Sequence, residues 1–159
     1  MFHSINLNKY YNDYFNIEFL QQINMLVKDV PFELNIHNNM NNMICKNQII
    51  SINSNNVKRV YLIGFSEISY YYEEILFIYE HECLDKQQFY MKSLDRNYRA
   101  DNSEWNYIDN AMCHDYYLIG QNEKMYIVYL DLQKNINLKE IEMPYNPNIH
   151  IFSLIYESL

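Results

Sequence analysis

Apolar residues recur along the chain in two rhythms. Phe15, Phe19, Ile23, Leu26 and Val30 are three or four positions apart, which places them on one face of a helix. The spacing predicts a helix over about 14–29, capped by Asn12 or Asn16 and ended by Pro31. Beyond Pro31 the rhythm shortens to apolar runs bounded by Asn and Ser, as strands require: Phe32–Ile36, Met43–Cys45, Gln48–Ile52 and Val57–Phe65. Lys46-Asn47 reads as a hairpin turn, and His37–Asn42 as an exposed Asn-rich loop.

Ser66 followed by Glu67 suggests a capped helix over Ser66–Glu74. Ile75–Glu82 is richer in β-branched and aromatic residues and reads as a strand. A turn at Leu84–Gln87 would then lead into a partner strand, Gln88–Leu94. Ser103 would cap a further helix, Glu104–Met112, with Trp105, Ile108 and Met112 on one face. Tyr116–Ile119 and Met125–Leu132, joined through Gly120–Lys124, form the strongest hairpin signal. Leu138–Met143 is another strand, and Phe152, Ile155, Tyr156 and Leu159 suit a short C-terminal helix. With no βαβ alternation, the expected class is α+β: an antiparallel, meander-like sheet of about five or six strands with two or three helices.

A length of 159 residues suits one globular domain spanning 1–159, able to bury roughly 70% of its unfolded surface without a metal or disulfide staple. At 49% hydrophobic and 20% charged residues, general disorder is excluded. No run approaches the roughly 18 apolar residues of a membrane helix, and the start, MFHSINLNKYY, lacks the pattern of a signal peptide. Three widely spaced Cys do not form a secreted disulfide framework, so the reading is a reduced, cytoplasmic protein. The net charge of −8, with no basic run beyond Lys58-Arg59, argues against direct nucleic-acid binding. It suits a partner with a basic surface, although solubility alone also accounts for such a charge.

Candidate chemistry is sparse. His81-x-Cys83 and Cys113-His114 supply zinc-type ligands, but neither pair has the usual structural spacing. Cys113, His114 and Asp115 have the residue types of a thiol nucleophile, base and orienter. Consecutive residues rarely converge, however, and only Gly64 and Gly120 are present to build an oxyanion loop. The Gly shortage also removes the P-loop and the dinucleotide fingerprint. Glu73-Glu74, Glu80 with Glu82 and Glu140 with Glu142 read as solvated faces before acid–base pairs. The expectation is no catalytic residue, no metal and no cofactor. A metal- or thiol-dependent enzyme using His81, Cys83, Cys113 and His114 is the reading from another class.

The remaining excess is aromatic, with 17 Tyr in the chain. Tyr covers large area at low entropic cost and is enriched in binding surfaces. Interleaved with acids, as at Tyr70, Tyr71, Tyr72, Glu73 and Glu74, it suits a Lys- or Arg-rich partner. Trp105 and Asp109 are further candidates, and exposed Tyr on a sheet edge could support a homodimer.

Two stretches resemble the SUKH superfamily, whose bacterial members are largely immunity proteins against toxins. VKRVYLIGFSEISYYYEEI, Val57 to Ile75, is similar to that family's strand and helix start, matched by Glu67 and Ile68. YYLIGQNEKMYIVYLDL, Tyr116 to Leu132, is similar to its hairpin, matched by Ile119, Gly120 and Asp131; Ile151–Leu159 would stand for its closing helix. The resemblance implies a protein that neutralises a toxin by binding, so no catalytic residue carries over. The functional expectation is an immunity protein blocking a toxin nuclease or similar enzyme. A virus-encoded inhibitor of a host nucleic-acid enzyme would use the same physics.

Overall fold

The computed structural model describes residues 1–15, 25–27, 30–32, 35–69, 71–94, 113–118, 124–132 and 137–159. For 25–27, 31–32, 82, 113–118 and 124 only the backbone course is described. Twelve strands run through these residues. They are β1 (Phe2–Ser4), β2 (Met25–Val27), β3 (Val30–Phe32), β4 (Met43–Lys46), β5 (Ile49–Ser54) and β6 (Val57–Ser66). There follow β7 (Tyr71–Tyr79), β8 (Leu84–Met91), β9 (Cys113–Leu118), β10 (Lys124–Asp131), β11 (Leu138–Glu142) and β12 (Tyr145–Ser158). One 3-10 turn at Glu80–Glu82 links β7 to β8.

A six-stranded sheet has the order β1-β12-β6-β10-β9, with β4 also paired to β12. A four-stranded sheet has the order β5-β11-β7-β8, and β2 pairs with β3 alone. All these pairings are antiparallel. Buried apolar residues of both larger sheets form one core, among them Leu62, Phe65, Val128, Leu154, Phe77, Phe89, Met91 and Ile141. The sheets are tied by hydrogen bonds: Ser66 N–H donates to the Lys92 carbonyl at 2.9 Å, and Gln87 Nε2 to the Asp131 carbonyl at 2.9 Å.

This architecture corrects the α+β expectation, because the described chain is almost entirely strand. Among the described residues no helix is long and apolar enough to cross a membrane. The expected C-terminal helix is the end of β12. Phe152 and Ile155 of its helical spacing fall in a stretch, Ile149 to Ile155, that is buried on both faces as a central strand requires and includes the polar His150 and Ser153. The expected helix over Ser66–Glu74 is the end of β6, a bend and the start of β7. Ser66 caps nothing; its N–H and carbonyl pair with Lys92 and Leu94 across the sheets. Of the expected helix over 14–29, residues 25–27 form β2, paired with β3, and Pro31 lies inside β3, while 16–24 and 28–29 fall outside the described residues. The helix expected at Glu104–Met112 also falls outside them.

The meander is corrected too. Lys46-Asn47 does turn the chain, but β4 goes to β12 and β5 to β11, so the two strands do not form a hairpin. The turn expected at Leu84–Gln87 lies a few residues earlier, at Glu80–Glu82, and β8 begins at Leu84. The hairpin of β9 and β10 is present as expected, and so is a strand at Leu138.

Turn chemistry follows from the scarcity of glycine. Among the described residues, the non-glycine residues with left-handed backbone are Asn38, Asn39, Asn47, Asn53, Asn56 and His81. Asn tolerates this region better than other side chains do, and here it occupies the turns that Gly would otherwise fill. Gly64 is needed elsewhere, in the middle of β6. A Cβ there would lie 2.0 Å from the His150 carbonyl oxygen and 3.0 Å from its carbon, both backbone atoms of the paired strand. Gly64→Ala is therefore expected to destabilise the fold by about 2–4 kcal/mol, because β12 must move to admit the methyl. Urea unfolding of the two proteins checks this, and a midpoint unchanged by the substitution would contradict the close approach.

Candidate functional site

In an antiparallel sheet, directly paired residues share a face and alternate along each strand. The pairing register therefore maps the outer face of the four-stranded sheet. Ile49, Glu142, Leu76 and Lys86 form one row across β5, β11, β7 and β8. Ser51, Glu140, Ile78 and Leu84 form the next. Glu74 with Gln88 and Tyr72 with Tyr90 continue the face along β7 and β8, where Tyr90 is buried, and Leu76 and Ile78 are half-buried. Ile49, Tyr72 and Leu84 are about half exposed, at 50%, 54% and 54%. The inward partners Ile50, Ile141, Ile75 and Phe77 are completely buried. The result is an open sheet face with apolar side chains interleaved among three glutamates. Lys86 pairs with Glu74 at 2.8 Å, and Lys139 sits at the bulge in β11.

The expected Tyr–Glu segment is divided by this alternation. A helix would have fanned Tyr70 to Tyr72 around its axis; the strand instead sorts the residues to two sides. Tyr72 and Glu74 point outward, Tyr72 hydroxyl donating to Gln88 Oε1. Tyr71 and Glu73 point back to β12. Asn148 Nδ2 donates to the Tyr71 hydroxyl oxygen at 2.9 Å, and Asn146 Nδ2 to Glu73 Oε1 at 2.6 Å. Tyr70, Trp105 and Asp109 lie outside the described residues. Ile49, Leu76, Ile78, Leu84, Glu140 and Glu142 were missed as a group. Their common face depends on pairing between strands up to about 90 positions apart, which no local pattern carries.

The thiol and histidine candidates are distributed over both sheets. His81 is exposed and Cys83 half-buried at the β7–β8 turn, while Cys113 and His114 open β9 at the far edge of the six-stranded sheet, their side chains undescribed. Among the described residues, no group of three His, Cys, Asp or Glu could hold a metal ion. Cys45 is fully buried, and burial, reinforced by the negative Glu73, pushes its thiol well above the ordinary range, so it is a packed apolar residue and not a nucleophile.

A second cluster was not anticipated. His150, on β12, is 1% exposed and stacks on Phe65 at 5.2 Å, with Phe15 edge-on at 6.0 Å. Its Nδ1 lies 2.9 Å from Asn42 Oδ1 and 3.5 Å from Asp13 Oδ2. Asn42 Nδ2 donates to Asp13 Oδ2 and Asn41 Oδ1, which turns Oδ1 toward the ring and places the imidazole proton on Nδ1. Nε2 is 3.1 Å from Glu67 Oε1 without the alignment of a hydrogen bond. Burial lowers the His150 pKa against the opposing pull of Glu67 and Asp13. Ser66, whose Oγ is buried and unpartnered, pairs with Ile149 and so faces the other side of the sheet; it forms no dyad with His150. The Asn-rich loop thus ends in two buried residues, Asn41 and Asn42, not in exposed ones.

No protein-family model matches the chain, and no curated protein matches it in sequence.

The neighbouring glutamates on β7 give a direct check of the strand alternation. Glu73→Ala leaves Asn146 without its acceptor at a half-buried site and is expected to cost about 1–3 kcal/mol. Glu74→Ala removes only a solvated ion pair and should leave the denaturation midpoint where it was. Equal effects of the two substitutions in urea titrations would contradict the assignment of faces.

Proposed function

We propose that the protein works by binding a protein partner with a basic surface and blocking it, the contact being the outer face of the four-stranded sheet. The observation that carries this reading is the open face itself, where Ile49, Leu76, Ile78, Leu84 and Tyr72 are interleaved with Glu74, Glu140 and Glu142. Apolar area of this kind supplies affinity, and the acidic groups supply orientation and speed of encounter. The net charge of −8 acts in the same direction at longer range.

A nucleic-acid enzyme is the kind of partner that fits, because its phosphate-binding groove is lined with Lys and Arg. Occlusion of that groove would inhibit it without chemistry on either side. Of the SUKH resemblance only the strand at Val57–Ser66 and the hairpin at Tyr116–Leu132 are left to favour a toxin nuclease within this class, because Glu67-Ile68 lies in a bend and Ile151–Ser158 in a strand where that family's helices would stand. In this reading Tyr72 and Leu84 are anchors, and Glu140 and Glu142 meet the partner's cations.

The test is affinity capture from the native host with two baits: the unaltered protein and a Leu84→Asp/Glu140→Lys/Glu142→Lys variant. All three substitutions are on the solvated face, so the fold should survive, as circular dichroism would verify. The expected outcome is a basic protein retained by the first bait and lost by the second, whose activity falls when the unaltered protein is added. Charge reversal should mainly slow association and flatten its salt dependence, and Tyr72→Ala should mainly speed dissociation, by about tenfold or more at a hot spot. Equal capture by both baits would sink the proposal.

A further inference from the structure

β4 pairs with β12 along one edge, and among the described residues no strand lies along the other. Alternate residues of a strand turn their backbone groups to opposite edges, so Asn42, Ile44 and Lys46 set this outer edge. Asn42 is met by backbone: its carbonyl accepts from Asn12 N–H at 3.1 Å, and its N–H donates to the Asp13 carbonyl at 3.3 Å. Beyond Asn42 the bonding passes to side chains. Asn12 Oδ1 accepts from Ile44 N–H at 2.8 Å, and its Nδ2 donates to the Ile44 carbonyl at 3.3 Å. Gln48 Nε2 donates to the same carbonyl at 2.7 Å, and Gln48 Oε1 accepts from Lys46 N–H at 2.7 Å. Side-chain amides thus occupy the positions at which a neighbouring strand would bond.

We propose that Asn12 and Gln48 are plugs that keep the outer edge of β4 from pairing with β4 of a second copy. An open strand edge is a template for another chain, and folded proteins blunt it with bulges, Pro or charge. β5, at the end of the four-stranded sheet, has a bulge with Asn53 in the left-handed region. β4 has no Pro, its register shift against β12 falls on β12, and Lys46 is its one charged residue.

The second copy is the occupant that fits, because this edge is self-complementary. With a two-fold axis at Cys45, Ile44 of each copy faces Lys46 of the other, each pair exchanging both its hydrogen bonds. The groups needed are those the amides hold, together with the Lys46 carbonyl. The Lys46 side chains would then stand opposite isoleucines and not opposite each other. No Asp or Glu occurs between Glu33 and Glu67, so β4 and its flanks add no acid repulsion between copies of a chain with net charge −8. Asp13, the acid brought close by the N-terminal segment, is turned toward Asn42 and His150.

The plugs prevail because they are already in place. Asn41 clamps Phe15, accepting from its N–H at 3.0 Å and donating to its carbonyl at 2.8 Å. Phe15 in turn packs on Phe65, ring centroids 4.8 Å apart, which fixes the segment that carries Asn12. Gln48 lies in the turn that follows β4. A second copy must displace groups held at high effective concentration to make the same bonds.

The experiment compares the unaltered protein with Asn12→Ala/Gln48→Ala by sedimentation equilibrium and by hydrogen exchange at the Ile44 and Lys46 amides. The double variant is expected to self-associate at least about tenfold more tightly. Its Ile44 and Lys46 amides should exchange quickly when dilute and become protected as concentration rises, whereas in the unaltered protein they are protected throughout. Association through another surface would affect both proteins alike. A variant that gains no self-association although these amides exchange freely would overturn the proposal. So would a dimer in which they stay unprotected, or an unaltered protein in which they exchange as fast as in the variant. Gln48→Ala alone leaves the Asn12 clamp in place and should free the Lys46 amide and strengthen self-association to a smaller degree. It decides the matter if the double variant does not fold, no gain over the unaltered protein then counting against the plugs.

Discussion

The pairing of β12 with β6 is the constraint around which the other elements are arranged. These two strands run side by side from Ile149–Ser66 to Ser158–Val57. The opposite edge of β12 takes β4 near its start and β1 near its end. The last fourteen-residue strand thus gathers segments from the first 66 positions. Such a strand must be apolar on both faces, and β12 is buried continuously from Ile149 to Ile155. It must also approach its neighbour closely, which Gly64 permits. Pro147, which cannot donate to a ladder, falls where the β4–β12 register shifts between Asn146 and His150.

Asn performs two tasks in this chain. As backbone it adopts the left-handed conformation at Asn38, Asn39, Asn47, Asn53 and Asn56, in a sequence with only two glycines. As a side chain it imitates the peptide group, which has one donor and one acceptor side by side. Asn12 and Asn41 use this to hold backbone that no strand pairs, and Asn146 and Asn148 use it to join β12 to Glu73 and Tyr71. Asn42 links the amide clamps to His150 and orients its ring. The composition bias that first reads as a feature of turns is also the source of much of the buried polar order.

The two sheets differ in what they leave to solvent. The central strands of the six-stranded sheet, β6 and β12, are largely buried on both faces, with Tyr11, Phe15 and Phe2 of the N-terminal segment packed against this sheet. The four-stranded sheet buries one face and leaves the other open, as antiparallel sheets commonly do. A large apolar side chain on such a face contributes little to folding. Ile49, Tyr72 and Leu84 stand there half exposed beside glutamates.

The strands from Met43 to Phe65, the β9–β10 hairpin and the strand at Leu138 were legible from sequence because alternation and turn residues are local signals. So were the acidic balance and the exposure of at least one tyrosine in the Tyr70–Tyr72 run, which Tyr72 provides. The class was not legible. Of Phe152, Ile155, Tyr156 and Leu159, the first two lie in a stretch buried on both faces, and such a stretch has no period of its own to tell strand from helix. At Ser66–Glu74 a plausible cap was overridden by pairing with β8 and β12. The open face and the His150 cluster are also products of tertiary structure. Each assembles residues from distant strands, such as Ile49 with Glu142 and Leu76, or His150 with Asn42 and Asp13. Local sequence sets which residues alternate along a strand; only the register between strands decides which of them meet.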